Sequence, residues 1–211
     1  MDAYNPDDQL ANLKAWWKQY GKALIAGVAI GALVLGGLNY WKVYKTRRAE
    51  NASLLYEALL GDVQQGKTDN ISTTATKLVH DYATTPYAGK AALLLARQRF
   101  DAKDLTGARQ QLEWAVKNAT ETAVQHTARL RLARLLLEQG DKDGALALTN
   151  VKDMQGFASA YDELKGDILL AKGDRAGARA AYQAALDHLT PGSAYGSTLA
   201  MKRDDLGPEP K

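Results

Sequence analysis

Two patterns of apolar and polar positions run along this chain. From Ala23 to Leu38 no charged or strongly polar side chain interrupts the apolar run, and the apolar character persists through Tyr40 and Trp41. From Ala49 onward the apolar residues recur at helical intervals instead. Leu54, Leu55, Ala58 and Leu59 form one stripe, Leu93, Leu94, Ala96, Arg97 and Phe100 another, and Leu130, Ala133, Leu136 and Leu137 a third. The first pattern predicts a helix that is apolar all round, the second a series of amphipathic helices, and no stretch alternates as a strand would. The expected class is all-α. Breaks fall at Gly66, Thr85-Pro86, Gly140 and Gly173, and the last two glycines precede an aspartate suited to capping the next helix.

The apolar run has the length of a membrane span. A hydrocarbon core of about 30 Å takes about 20 helical residues, and residues 23–41 supply 19. Lys22 and Lys42 bracket the run, Trp16, Trp17 and Tyr20 precede it, and Tyr40, Trp41 and Tyr44 follow it, as in an interfacial aromatic belt. It ends in Asn39-Tyr40-Trp41-Lys42, not in a small-residue cleavage site, so the expectation is an uncleaved signal anchor. Gly27 and Gly31, with Ala23 at the same spacing, are candidates for packing against another transmembrane helix. Leu10, Leu13, Trp16, Trp17 and Tyr20 make a short amphipathic stripe that either lies in the interface or continues the anchor helix. Lys14, Lys18 and Lys22 stand on one side of the span and Lys42, Lys45, Arg47 and Arg48 on the other, so flanking charge leaves the orientation open.

The helical region repeats. Asp104–Ala108, Asp141–Ala145 and Asp174–Ala178 share a D-x-x-G-A frame whose alanines are 37 and then 33 residues apart, close to the tetratricopeptide (TPR) unit of about 34 residues. Ala96, Ala133 and Gly166 each lie 12 residues before the marker alanine, where two helices of such a repeat meet closely. Four helix pairs are expected, at about 49–83, 86–118, 121–152 and 156–188, then a closing helix near 193–203. The whole chain divides into an amphipathic N-terminal segment (1–22), the span (23–41), a basic juxtamembrane linker (42–48), the TPR-like α-solenoid (49–205) and a flexible tail (206–211).

Charge and chemistry narrow the function. Residues 1–48 carry seven Lys/Arg against three Asp, whereas residues 49–211 carry 20 basic and 21 acidic residues, so the folded domain lacks the basic excess of a nucleic-acid binder. The absence of cysteine excludes disulfides, thiolate metal sites and cysteine catalysis. His80, His126 and His188 are isolated and are expected at solvated helix positions. Gly61 to Thr68 matches the P-loop string, but that motif needs a strand feeding the loop, and Leu54–Leu60 reads as helix. Asp162-Glu163 and Asp204-Asp205 are sequence neighbours that diverge around a helix. The chain is expected to be non-catalytic, with no cofactor.

The anchor string from Gly21 to Gly31 (GKALIAGVAIG), the Asn39–Trp41 exit, the Leu130–Arg134 segment and the Lys165-Gly166-Asp167 and Lys172-Gly173-Asp174 pair resemble the YfgM family over essentially the whole chain. The resemblance implies an ancillary subunit of the SecYEG translocon in a Gram-negative inner membrane, associated with the periplasmic chaperone PpiD and concerned with handing secretory proteins to the chaperone network. It also implies a cytoplasmic N-terminus and a periplasmic domain. Stacked helix pairs form a concave groove, and the residues expected to face it from their TPR positions are Lys90, Arg97, Phe100, Leu130, Arg134 and Leu137. The alternative is a membrane-tethered adaptor that regulates a cytoplasmic signalling protein through the same groove.

Overall fold

The computed structural model of the protein describes residues 6–207 and, among them, contains helices and turns with no strand. The helices are α1 (Pro6–Gln64), α2 (Thr68–Asp81), α3 (Pro86–Asp101), α4 (Leu105–Asn118), α5 (Thr122–Glu138), α6 (Lys142–Thr149), α7 (Ala158–Ala171), α8 (Arg175–Asp187) and α9 (Gly196–Asp204), with a 3₁₀ turn at Gln155–Phe157. The chain divides into two units between Arg48 and Ala49. The end of the expected tail, residues 208–211, lies outside the described residues.

In the first unit the helix is unbroken, so the amphipathic N-terminal stripe is a continuation of the apolar helix. The stretch beginning at Leu24 has a window of mean hydropathy 1.7 with none of it buried, and is long and apolar enough to cross a membrane. Ile30, Leu33, Val34, Leu35 and Leu38 are between 55% and 76% exposed, a surface suited to lipid. Trp16 and Tyr20 rings lie 5.9 Å apart before the apolar run, and Trp41 and Tyr44 stack at 6.2 Å after it. Lys45 Nζ stands 5.3 Å from the Trp41 ring centre. The basic segment 42–48 is helical as well, since nothing between Gly37 and Gly61 breaks a helix.

In the second unit, residues 49–64 of α1 pair with α2, α3 with α4, α5 with α6 and α7 with α8, and α9 closes the series. Ala52 and Leu59 pack on Ile71, Ala75 and Leu78 of α2 and on Ala91 and Leu95 of α3. A second cluster runs from Ala92 through Leu112 and Leu132 to Tyr161 and Ile168. Among the described residues, half of the buried apolar side chains are alanine, which lets helix axes approach more closely than leucine would. The marker alanines Ala75, Ala108, Ala145 and Ala178 are all at most 1% exposed.

The D-x-x-G-A frame is a turn that ends one helix and starts the next. The amides of Asp104, Asp141 and Asp174 donate back to the carbonyls of Arg99, Leu136 and Leu169, closing Schellman motifs on α3, α5 and α7. Each aspartate then accepts from an amide three residues on, Gly107, Gly144 or Gly177, at 2.8–2.9 Å, and so caps α4, α6 or α8. A Cβ on any of those glycines would collide with the capping carboxylate, which explains the fourth letter of the frame. The left-handed residue of the motif is Gly140 or Gly173 in two turns but Lys103, at φ 64°, in the other. The Gly61–Thr68 string forms a related turn: Gly66 is left-handed, Lys67 donates to Asp62 O and precedes α2, and the residues before the turn are helix.

Two positions depart from the expected pattern. His126 is buried, not solvated: Nδ1 lies 2.9 Å from Tyr161 Oη and the ring stacks on Phe157 at 5.0 Å. Helix α5 has neighbours on both sides, so its buried face is wider than one stripe. His80 is exposed, and His188 is half-exposed with Nδ1 2.7 Å from Asp162. The third repeat is short, because α6 stops at Thr149, whose buried hydroxyl donates to Leu146 O.

The fourth repeat is locked to α9. Lys202 Nζ donates to Glu163 Oε1 at 2.8 Å and Asp167 Oδ1 at 2.9 Å, Tyr195 Oη donates to Glu163 at 2.6 Å, and Tyr182 Oη donates to Asp167 at 2.8 Å. Burial, then the bond to Asp167, raises the Tyr182 pKa, so the phenol remains a donor. Asp162 and Glu163 thus serve different helices, α8 and α9.

Two substitutions test this packing. A Cβ at Gly166 would lie 2.5 Å from the Tyr182 ring, which its bond to Asp167 holds in place. Gly166→Ala is expected to cost about 1–3 kcal/mol in urea unfolding, and an unchanged midpoint would show that the repeat relaxes around it. Lys103→Gly removes left-handed strain on the order of 1 kcal/mol, partly offset by the freer unfolded chain. The expected result is a higher unfolding midpoint.

Candidate functional site

The small residues that bring the helices together also leave space beside α3. Between α3, α4 and α5, Ala96 and Ala108 floor a cavity of about 390 Å³ walled by Leu93, Phe100, Leu112 and Leu135. Its rim carries Arg97 from α3 and Arg131, Arg134 and Glu138 from α5. On the other side of α3 a second cavity, of about 540 Å³, is lined by Val63, Ile71 and Leu94 with Arg97 and Asp101. Arg97 lines both, so apolar space lies on each side of it, and the two cavities together make a trough along α3 that Arg97 divides.

The rim is cationic. Arg97 Nε donates to both carboxylate oxygens of Asp101 at 2.9 and 2.8 Å. Arg131 and Arg134 make no ion pair among the described residues, whereas Arg99, Arg109 and Arg203 are paired with Asp104, Glu113 and Asp204. Partial burial, and then the neighbouring Arg97 and Arg134, hold the Arg131 pKa below the ordinary arginine value. The group still carries its charge at neutral pH. A cationic, apolar-walled trough is suited to binding. Among the described residues no group of three metal-ligating side chains comes together.

Of the residues expected to face the groove, Arg97, Phe100 and Arg134 line the same cavity. Leu130 is 5% exposed and part of the core, and Leu137 is half-buried against it. Lys90 stands near the start of α3, paired with Glu121 at 3.0 Å and 6.0 Å from the Tyr87 ring centre. Arg131 was not expected at the rim. Its signal was the three-residue spacing to Arg134, which puts the two on one face of α5, while Leu130 lies about 100° from Arg131, on the flank of that face turned to the core. On α1, Gly27 and Gly31 are open, a Cβ on either meeting nothing within 4 Å, and the side chain of Ala23 lies outside the described residues.

A solenoid of close-packed helix pairs, preceded in sequence by an exposed apolar helix, defines the class: a tetratricopeptide repeat-like protein with a helix long enough to cross a membrane. The sequence matches the tetratricopeptide repeat-like domain family over residues 14–208, apolar helix included. It is 33% identical to the ancillary SecYEG translocon subunit of Escherichia coli (strain K12) over 208 residues, 98% of this chain and 99% of that protein. The protein of the same name from Neisseria gonorrhoeae (strain ATCC 700825 / FA 1090) is 32% identical over 94% of this chain and 95% of its own length. That from Haemophilus influenzae (strain ATCC 51907 / DSM 11121 / KW20 / Rd) is 29% identical over 85% and 87%. The chain belongs to the YfgM family.

Three arginines against Glu138 and Asp101 leave an excess of like charge at the rim, which works against the folded state. Arg131→Gln is therefore expected to leave the free protein as stable as the parent or more so in urea unfolding, with any gain shrinking as salt screens the repulsion. A salt-independent loss would reveal an interaction that offsets the repulsion.

Proposed function

We propose that this chain is a non-catalytic, membrane-anchored ancillary subunit of the SecYEG translocon in a bacterial inner membrane. Its N-terminus faces the cytoplasm and its helical domain works in the periplasm. There the groove scaffolds protein contacts and helps pass secretory proteins to a PpiD-like chaperone. The observation that carries this reading is the apolar trough along α3, in a chain that also has an exposed apolar helix of membrane-spanning length. The relatives' shared name supports the translocon as partner. A concave face of stacked helix pairs is a form that grips extended segments or partner helices.

Two further features favour a scaffold over an enzyme. The P-loop-like string lies in a helix and its terminal turn, where its amides serve the helix and do not converge on a phosphate. The adjacent carboxylates of Asp162 and Glu163 hold separate helices together. Gly27 and Gly31 offer the surface on which another transmembrane helix can approach closely.

Affinity purification of the tagged full chain from gently solubilised membranes is expected to recover the translocon. An eluate without translocon subunits overturns the partner assignment. A reporter fused after Lys211 is expected to be active only in the periplasm, and activity in the cytoplasm instead supports an adaptor for a cytoplasmic protein.

A further inference from the structure

We propose that the trough along α3 takes an extended acidic segment of a partner protein, one that carries carboxylates beside bulky apolar side chains. This rests on the reading of the groove as the working surface and adds the chemistry of what it holds.

Charge complementarity favours an acidic occupant. Residues 49–211 carry one more acidic than basic residue, yet three arginines gather at one rim against Glu138 and the Asp101 that already engages Arg97. Arg131 and Arg134 keep their guanidinium donors free of any carboxylate among the described residues, whereas Arg97 beside them is already engaged by Asp101. Guanidiniums held in this way are matched by carboxylates, which they bind through paired, charge-assisted hydrogen bonds. Burial disfavours the Arg131 charge most, the neighbouring Arg97 and Arg134 add to it, and an incoming carboxylate offsets that repulsion.

Shape favours bulky apolar side chains beside those acids. Phe100, Leu93 and Leu112 wall a pocket directly below the arginine rim, deep enough for one large side chain. The continuation past Arg97 to Val63, Ile71 and Leu94 is again apolar. One apolar pocket on each side of a ridge, with cations at the edge, fits a chain that presents apolar side chains to the floor and carboxylates to the rim. An aromatic or leucine anchor with flanking acids is the combination that uses both features.

The test uses the full chain in detergent micelles and a fluorescein-labelled peptide that alternates glutamate with leucine and phenylalanine. Its counterpart has glutamine at every glutamate. By fluorescence anisotropy the glutamate peptide is expected to bind at least about tenfold more tightly, as loss of a charge-assisted contact implies. The Arg131→Gln/Arg134→Gln double variant is expected to bind both peptides alike, at the weaker level. Arg203→Gln, on α9, is expected to retain the preference. Equal affinity of the two peptides for the parent protein, an unchanged preference in the double variant, or no binding of either peptide overturns the proposal. Competition by phosphatidylglycerol vesicles, but not by phosphatidylcholine vesicles, that requires Arg131 and Arg134 also overturns it, in favour of a lipid headgroup. Translocon recovery with the parent chain separates the two readings. If the translocon co-purifies but the peptide preference is absent, only the acidic-segment proposal fails. If the preference is present and the translocon is not recovered, only the translocon assignment fails.

Discussion

Close approach of neighbouring helices is the constraint on which the helical domain depends. Each pair meets at positions where only a methyl group or a hydrogen fits: Ala108, Ala145 and Ala178 at the start of the second helix, and Ala96, Ala133 and Gly166 in the first. Such contacts are made only if the chain reverses tightly and at the same angle each time. The turn at Asp104, Asp141 and Asp174 does this by giving one aspartate two tasks. Its amide closes the Schellman motif of the preceding helix, and its carboxylate caps the next. The glycine three residues on is what lets the carboxylate lie flat against the helix start.

The same small residues produce the trough. Where alanine replaces a larger side chain, space remains that Leu93, Phe100 and Leu112 surround without filling. Interiors are otherwise packed as densely as crystals, so persistent space on one face is a cost of the close-packed design as well as its use. The arginine rim adds a second cost, since partial burial and like-charged neighbours both disfavour the Arg131 charge. Binding surfaces commonly carry such unfavourable groupings because a partner supplies what the free protein lacks. At the far end of the solenoid the opposite holds. The buried Glu163 accepts from Lys202 and Tyr195, so a polar network ties α9 to the last pair.

The apolar helix obeys different rules. Its leucines, isoleucines and valines are exposed, and its polar ends carry tryptophan, tyrosine and lysine in close ring contacts. Gly27 and Gly31 leave the backbone uncovered, a Cβ on either meeting nothing within 4 Å, and this is the surface that the proposed packing of another transmembrane helix uses.

Much of this architecture is legible in the order of residues alone. Helix periods, capping aspartates, the left-handed glycines and the repeat of the D-x-x-G-A frame are local signals, written within a few residues, and they suffice for an all-helical solenoid with an apolar N-terminal helix. The family resemblance likewise rests on strings read directly along the chain. The contacts made across helices are not legible in this way. His126 reads as a solvated position but lies between Tyr161 and Phe157, because α5 is covered on both sides by elements far away in the chain. Leu130 and Arg131 are neighbours, yet one is core and the other stands at the rim. A step of one residue turns the helix by about 100°, and only the packing of α5 against α3 and α4 decides which side of that turn faces the groove. Local pattern therefore determined the elements and their order, while burial, the trough and its charge were decided by tertiary contact.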